Sequence, residues 1–464
     1  MPVDKKPHTD EGESASGGGQ PSKHNRLRGK LEHPNILILL AKQSLALSAH
    51  AQSNFIDVLD TLSTELRQLF VKCGLIQKVD IDQKKAWSKV RNRRIGFVDG
   101  GVANISVMGA EPVAIRVGSY VVTPGSHGPD RERFGFEVQL VDELFEAGNR
   151  ENGVYEDSFE DVAKMRDAAR IVCETAGVLS LSRTKGRPDV IFLHGPLVNP
   201  VSPYALGQPG DSDAFPNFTS ETLDTLLAGN GSGRKDKDAN FVKVYLDQLK
   251  YLEKGGITVC GVVERPSSGV PGPLISRLIK SMHEDGIIPA DSYAKIYNAL
   301  RLYQITDSLI FECILDEGEY IVPVQMDKQG ADSPHLKIPF HWYGEIVDYP
   351  RPWTTYVKAN SGTMPVRLEF FKTGMFGNDD DSLLNLVVHM SRLLPKYSFP
   401  VGLDIVDKHA KIPNWMSRQV SSMLSAKMMK KAMDTGDPQI VKLVRRVLSS
   451  NSRDWLFRPE YKET

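Results

Sequence analysis

The sequence predicts an α/β protein with a mixed sheet and helical additions at both ends. Short apolar runs at 95–101, 112–122 and 136–141 follow one another closely and read as strands. From about residue 157, helix-spaced segments alternate with further apolar strands, and the last 80 or so residues are helical in pattern.

In chain order, residues 1 to about 30 are poor in apolar side chains and rich in Gly, Ser, Lys and Asp, the composition of a disordered tail. Phe55, Leu59, Leu62, Leu66 and Leu69 recur at helical spacing within 34–76. A basic run follows, with Lys84, Lys85, Lys89, Arg91, Arg93 and Arg94 around Trp87. Ile95–Gly101 reads as a strand ending in a Gly turn, and 157–182 as a helix. Asp189–Gly195 is a buried strand meeting a Gly-Pro turn, and 205–238 is a polar loop insertion. Helices are expected at 240–254 and 271–284, with a strand at Ile257–Val263 between them. Strands are expected at Ser308–Leu315, Tyr320–Val324, Trp353–Val357 and Val366–Phe371, and a basic helix at 438–449. The expected organisation is therefore a tail (1–30), an N-terminal helical region (31–90), a main α/β domain (91–425) and a basic helical extension (426–464).

Of 464 residues, 41% are apolar and 25% charged, enough for a substantial core. A net charge of −1 supplies no global attraction to polyanions, so any nucleic-acid contact must come from local basic patches. The four cysteines are widely spaced, with no C-x-x-C pair, which indicates neither a zinc site nor a disulfide framework. Cys173, Cys260 and Cys313 lie in apolar stretches and are expected as buried thiols in a reducing cytoplasm. The N-terminus has no signal-peptide core, and the run Asn35–Ala41 is too short to cross a bilayer. No G-x-x-x-x-G-K-[ST] loop occurs, so ATP-driven movement would have to come from another chain.

Five side chains stand out. Asp99 ends an apolar run before Gly100-Gly101, where a carboxylate is costly unless a cation sits beside it. The glycines leave room for such a group, although an Asp-Gly turn is the common alternative. Arg166, Arg170 and Glu174 share one helix face, and Arg170–Glu174 could equally be an ordinary ion pair. His194 closes the strand before Gly195-Pro196, where Asp189, five residues earlier, is too far back to replace it. Asp307 opens an apolar run and could instead cap a turn. His409 lies near Asp404 and Asp407, and could be a surface histidine.

The order of these segments resembles the NurA nuclease family. The matching stretches are Phe97–Gly101, Arg170 with Glu174, Phe192–Leu197, Gly261–Arg265, Thr306–Ile310, Pro365–Glu369 and His409–Ile412, covering roughly residues 90–425. The resemblance implies an RNase H-like mixed sheet flanked by helices, and a metal-dependent deoxyribonuclease, an exo- or endonuclease on DNA ends and single strands, using one or two Mn²⁺ (or Mg²⁺) ions. It implies metal ligation by Asp99, Glu174, His194 and Asp307, with His409 as a ligand or proton carrier. It further implies a homodimer that works with a HerA-like hexameric translocase, in DNA repair or anti-phage defence.

Three departures stand out. Asp-Gly-Gly replaces Asp-Gly-Ser, His194 stands where the family has aspartate, and Glu264 stands where lysine is common. An imidazole in place of a carboxylate removes negative charge from a cation site and favours manganese over magnesium. A catalytically degenerate adaptor of the translocase is the alternative. Candidate DNA contacts are Lys84, Lys85, Lys89, Arg91, Arg93, Arg94, Arg265 and Arg367, with a further basic group at Lys427, Lys430, Lys431, Lys442, Arg445 and Arg446.

Overall fold

The structure, a computed structural model, describes residues 55–80, 82–105, 113–142, 157–205, 217–218, 241–264, 272–327 and 340–450. A helix at 55–72 (α1) leads to β1 (Ile76–Lys78) and α2 (Gln83–Lys89). Three long strands follow: β2 (Ile95–Asn104), β3 (Val113–Val122) and β4 (Glu132–Asp142). Next come α3 (Asp157–Arg183), β5 (Val190–His194), β6 (Asn217–Phe218), α4 (Phe241–Lys254) and β7 (Thr258–Val263). Helices α5 (Pro273–Glu284), α6 (Ala290–Leu302) and α7 (Asp307–Ile314) precede β8 (Glu319–Ile321) and β9 (Val324–Gln325). Short α8 (Tyr343–Val347) leads into β10 (Trp353–Val357) and β11 (Val366–Phe370). The chain closes with α9 (Asp380–Ser391), α10 (Val401–Ala410), α11 (Asn414–Asp434) and α12 (Pro438–Ser450). Packing divides the chain after Thr61, and every site residue discussed below lies in the unit Leu62–Thr464.

All the described strands join one sheet, in the order β1-β8-β10-β11-β7-β5-β2-β3-β4-β6, with β9 on β10. Strands β2, β3 and β4 form an antiparallel meander, while β5 runs parallel to β2 and β7 parallel to β5. The section β4-β3-β2-β5-β7 is the RNase H-like layout that the family resemblance implies. Alternation along each strand loads both faces, because neighbouring side chains point oppositely. Val98, Val117, Ile191 and Val259 pack against α3 and α4 through Ala169, Val172, Val178, Tyr245 and Leu249. Phe97, Phe192, Cys260 and Leu368 meet Leu384, Val388, Leu403 and Val406 of α9 and α10 on the other face. Each fully buried large side chain contributes about 1.5–3 kcal/mol.

Five expectations change. β2 does not turn at Gly100-Gly101 but stays paired with β3 as far as Asn104. Residues 307–314 form a helix rather than a strand, because Ile310, Phe311 and Ile314 are buried at helical spacing, a pattern short apolar runs leave ambiguous. That helix turns Cys313 outward, so it is exposed while Cys173 and Cys260 are buried. The N-terminal region 31–90 includes β1, which pairs with β8, so it is not purely helical. Helix α11 also runs unbroken past 425. The tail 1–30, the run 35–41 and most of the insertion 205–238 lie outside the described residues.

Candidate metal centre

Asp99 sits where β2 changes its support. Pairing with β5 ends at Val98↔Leu193, whereas pairing with β3 continues through Asp99↔Gly118. The carboxylate thus emerges beside the end of β5, on the face covered by α10. It is 6% exposed. Its Oδ1 accepts the Gly100 N–H at 2.8 Å, and its Oδ2 lies 3.1 Å from Nδ1 of His194. The His194 ring packs on Phe399, with centroids 5.0 Å apart.

Asp407 completes the group from α10. One ligand atom each from Asp99, His194 and Asp407 lies within 4.8 Å of the others. The helix comes this close because residue 101 has no side chain: a Cβ there would run into the backbone of Ala410 and Lys411. Lys411 Nζ reaches Asp407 Oδ2 at 2.5 Å and rims the site.

Glu174 approaches from the opposite face, on α3. It is 4% exposed, and Arg170 Nη1 donates to its Oε1 at 2.8 Å. Burial pushes its carboxyl up to about 7, against the pull of Arg170, with Asp99 adding to the rise. For His194, burial alone disfavours the charged ring. The neighbouring Asp99, together with Asp407 and Glu174, outweighs it and raises the pKa.

The other sequence candidates go elsewhere. Asp307 is 2% exposed, and its two oxygens accept the Leu274 and Ile275 N–H groups at 2.9 and 3.0 Å, capping α5. His409 shares α10 with Asp407 but faces β4, where its ring meets Phe134 at 5.4 Å and Phe136 at 6.0 Å. Arg367 is in a buried ion pair with Glu369 at 3.1 Å. Lys85, Lys89 and Arg93 pair with Asp80, Asp379 and Asp189, so the basic run is partly neutralised. Arg265 lies outside the described residues. The residue that sequence reasoning passed over is Asp407. Its signal was helical phase: Asp404, Asp407 and Lys411 fall on one face and His409 on another.

Two carboxylates and an imidazole form a donor set suited to a divalent transition metal such as manganese, with magnesium less favoured by the nitrogen ligand. The close acids, one of them buried, give such an ion a charge to neutralise.

No protein-family model matches the sequence, and no curated protein matches it. Among solved structures the chain is similar to the NurA nuclease from Sulfolobus solfataricus, with 11% identity and a TM-score of 0.45 over 88% of this chain and 98% of that one. It is similar to a NurA crystallised with manganese, with 10% identity and a TM-score of 0.41 over 83% of this chain and 97% of that one. It is also similar to an endonuclease V from Streptomyces avermitilis, with 11% identity and a TM-score of 0.26 over 71% and 88%. Likenesses this distant identify no activity, which rests on the side chains of the site. No helix among the described residues is long and apolar enough to cross a membrane.

Proposed function

We propose that the chain is a metal-dependent nuclease that hydrolyses DNA phosphodiester bonds, with Asp99, His194 and Asp407 holding a divalent cation, Mn²⁺ in preference to Mg²⁺. The observation that carries this reading is the convergence of those three side chains, from β2, β5 and α10, within 4.8 Å. When bound, the cation would activate water and stabilise charge on the phosphate and leaving oxygens. The chain's own residues do the rest. Asp99 and Asp407 supply the negative charge that holds the ion, and Phe399 and the sheet keep the His194 ring in place. Arg170 fixes Oε1 of Glu174, the oxygen that lies against Gly100. Lys411 offers a positive charge at the rim for a phosphate oxygen. Asp307 serves the architecture rather than the ion.

In this reading the chain acts as a dimer on DNA delivered by a HerA-like hexameric translocase, in repair or in defence against phage. The support is the ordered series of motifs from Phe97 to Ile412 and the lack of a P-loop in the sequence. The test is cleavage of a labelled DNA by the purified chain, alone and with such a translocase, with MnCl₂, MgCl₂ or EDTA. Cleavage in manganese that Asp99→Asn abolishes supports the reading. Cleavage in EDTA, or undiminished cleavage by Asp99→Asn, sinks it.

A second reading draws on the Asp99–His194 contact at 3.1 Å. A protonated His194 can itself neutralise Asp99, so the site can persist without an ion, as in a non-catalytic adaptor that stimulates the translocase. Stable complex formation with no cleavage in any cation would favour it.

A further inference from the structure

The sheet face that carries Asp99 continues outward over β3 and β4, and its side chains there have no part in the triad. Asp99 lies opposite Gly118 and Gly118 opposite Phe136, so the three form one row on one face. At strand spacing Phe136 is about 10 Å from Asp99. Phe134, opposite Tyr120, lies beside it on the same face. Helix α10 stands over Gly118 near its C-terminal end, with Asp407 toward the triad and His409 toward the phenylalanines.

These two rings are unusually placed for large apolar groups: Phe134 is 50% exposed and Phe136 61%. Beyond β3, the described pairing of β4 is with β6, at Val141 and Asp142. Phe134 is backed by a row of stacked rings, Tyr120 at 4.7 Å, then Phe97 and Phe192 at 5.8 and 5.7 Å steps, so it is held rigidly. Arg116 lays its guanidinium over Phe136 at 4.7 Å. Among the described residues no carboxylate pairs with Arg116, and its Nε is buried without a hydrogen-bond partner. His409 Nε2 is likewise buried and unpartnered.

We infer that Phe134, Phe136 and Arg116 form a stacking surface for the unpaired bases of single-stranded DNA whose backbone runs on to Asp99, His194 and Asp407. The inference rests on the nuclease reading above and adds to it the side chains that would hold a single strand. Exposed aromatic rings beside an unpaired cation suit a strand with free π-faces and a phosphate backbone. Bases inside a duplex present no such face. Continuity with the triad, on one sheet face, places the stacked bases beside the phosphates to be cut.

The test measures binding of a fluorescent oligothymidylate of about twenty nucleotides to the full chain in EDTA, where nothing is cleaved. Phe134→Leu/Phe136→Leu keeps apolar bulk and removes the π-faces, and exposed positions tolerate it. The expected result is roughly ten-fold or greater weakening on the single strand, with no change on duplex DNA and recovery in Phe134→Trp/Phe136→Trp. Equal affinity of the leucine variant, or an equal loss on an abasic strand, overturns the inference. So does a parent chain that binds no oligothymidylate. Tighter binding of oligouridylate by the same rings would make the ligand RNA, and ring-dependent self-association would make the face an interface between copies; either result overturns it as well. Because this readout needs no cation, it separates from the cleavage test: ring-dependent binding with no manganese cleavage removes the nuclease reading alone.

Discussion

Gly100 and Glu174 share one space: a Cβ on Gly100 would lie 2.5 Å from Oε1 of Glu174. The Glu174 side chain lies against β2 at this point only because residue 100 has no side chain. Gly100→Ala should therefore push Glu174 out, costing about 1–3 kcal/mol of stability by overpacking and most of the metal-dependent cleavage. Adding Glu174→Ala should restore stability but not cleavage, a coupling that a double-mutant cycle of denaturant melts would read. Additive losses would show that the two residues do not meet.

His194 faces Asp99 at 3.1 Å where a second carboxylate would repel it. His194→Asp should lower the melting temperature without metal, because three acids then share the site. The same variant should gain more than the parent from added MgCl₂, since a harder donor set suits magnesium. Thermal melts with and without MgCl₂ and MnCl₂ check both halves. A variant that melts higher without metal and ignores magnesium would contradict the assignment.

Asp404 and Asp407 lie one helical turn apart, but only Asp407 joins the triad. Asp404 pairs with Lys408 at 2.7 Å. Calorimetric titration with MnCl₂ should show Asp407→Asn binding at least about ten-fold more weakly, a loss of roughly 1.4 kcal/mol. Asp404→Asn should stay within about two-fold of the parent. Equal effects of both changes would mean that the helix contributes general charge rather than a ligand.

Asp307 gives a pH dependence of stability. Burial raises its carboxyl to about 6, against the Leu274 and Ile275 amides and Arg367, which favour the anion. Its folded value is above the unfolded one of 3.8, so its contribution is fully present below pH 4 and is lost as pH rises through 6. Asp307→Asn should accordingly gain on the parent by up to about 3 kcal/mol between pH 4 and 7, read from denaturant midpoints at each pH. A difference that shrinks over that range would show that the amides hold the carboxylate ionised.

Much of the site was legible because burying a carboxylate beside glycines is costly enough to mark it. Asp99, His194 and Glu174 come from β2, β5 and α3; apolar periodicity placed β5 and α3 to within a residue, and the start of β2 but not its continuation to Asn104. Asp307 is ambiguous in sequence because a buried acid that caps a neighbouring helix and one at a metal look alike: both open an apolar run. The run itself hid its helix, since Phe311 and Ile314 also suit a strand. Asp407 was hidden by its neighbour: a histidine draws attention, while helical phase decides which side chain reaches Asp99. The lysines at 85 and 89 are candidate DNA contacts in sequence; pairing with Asp80 and Asp379 is not legible there, because the partners lie outside the basic run, one of them far along the chain.

The most direct test of the triad is a crystal of the chain soaked in MnCl₂, with diffraction collected at the manganese absorption edge. The account predicts an anomalous peak between the Asp99 and Asp407 carboxylates and the His194 ring. A map with no peak there, from a preparation that cleaves DNA in manganese, would contradict it.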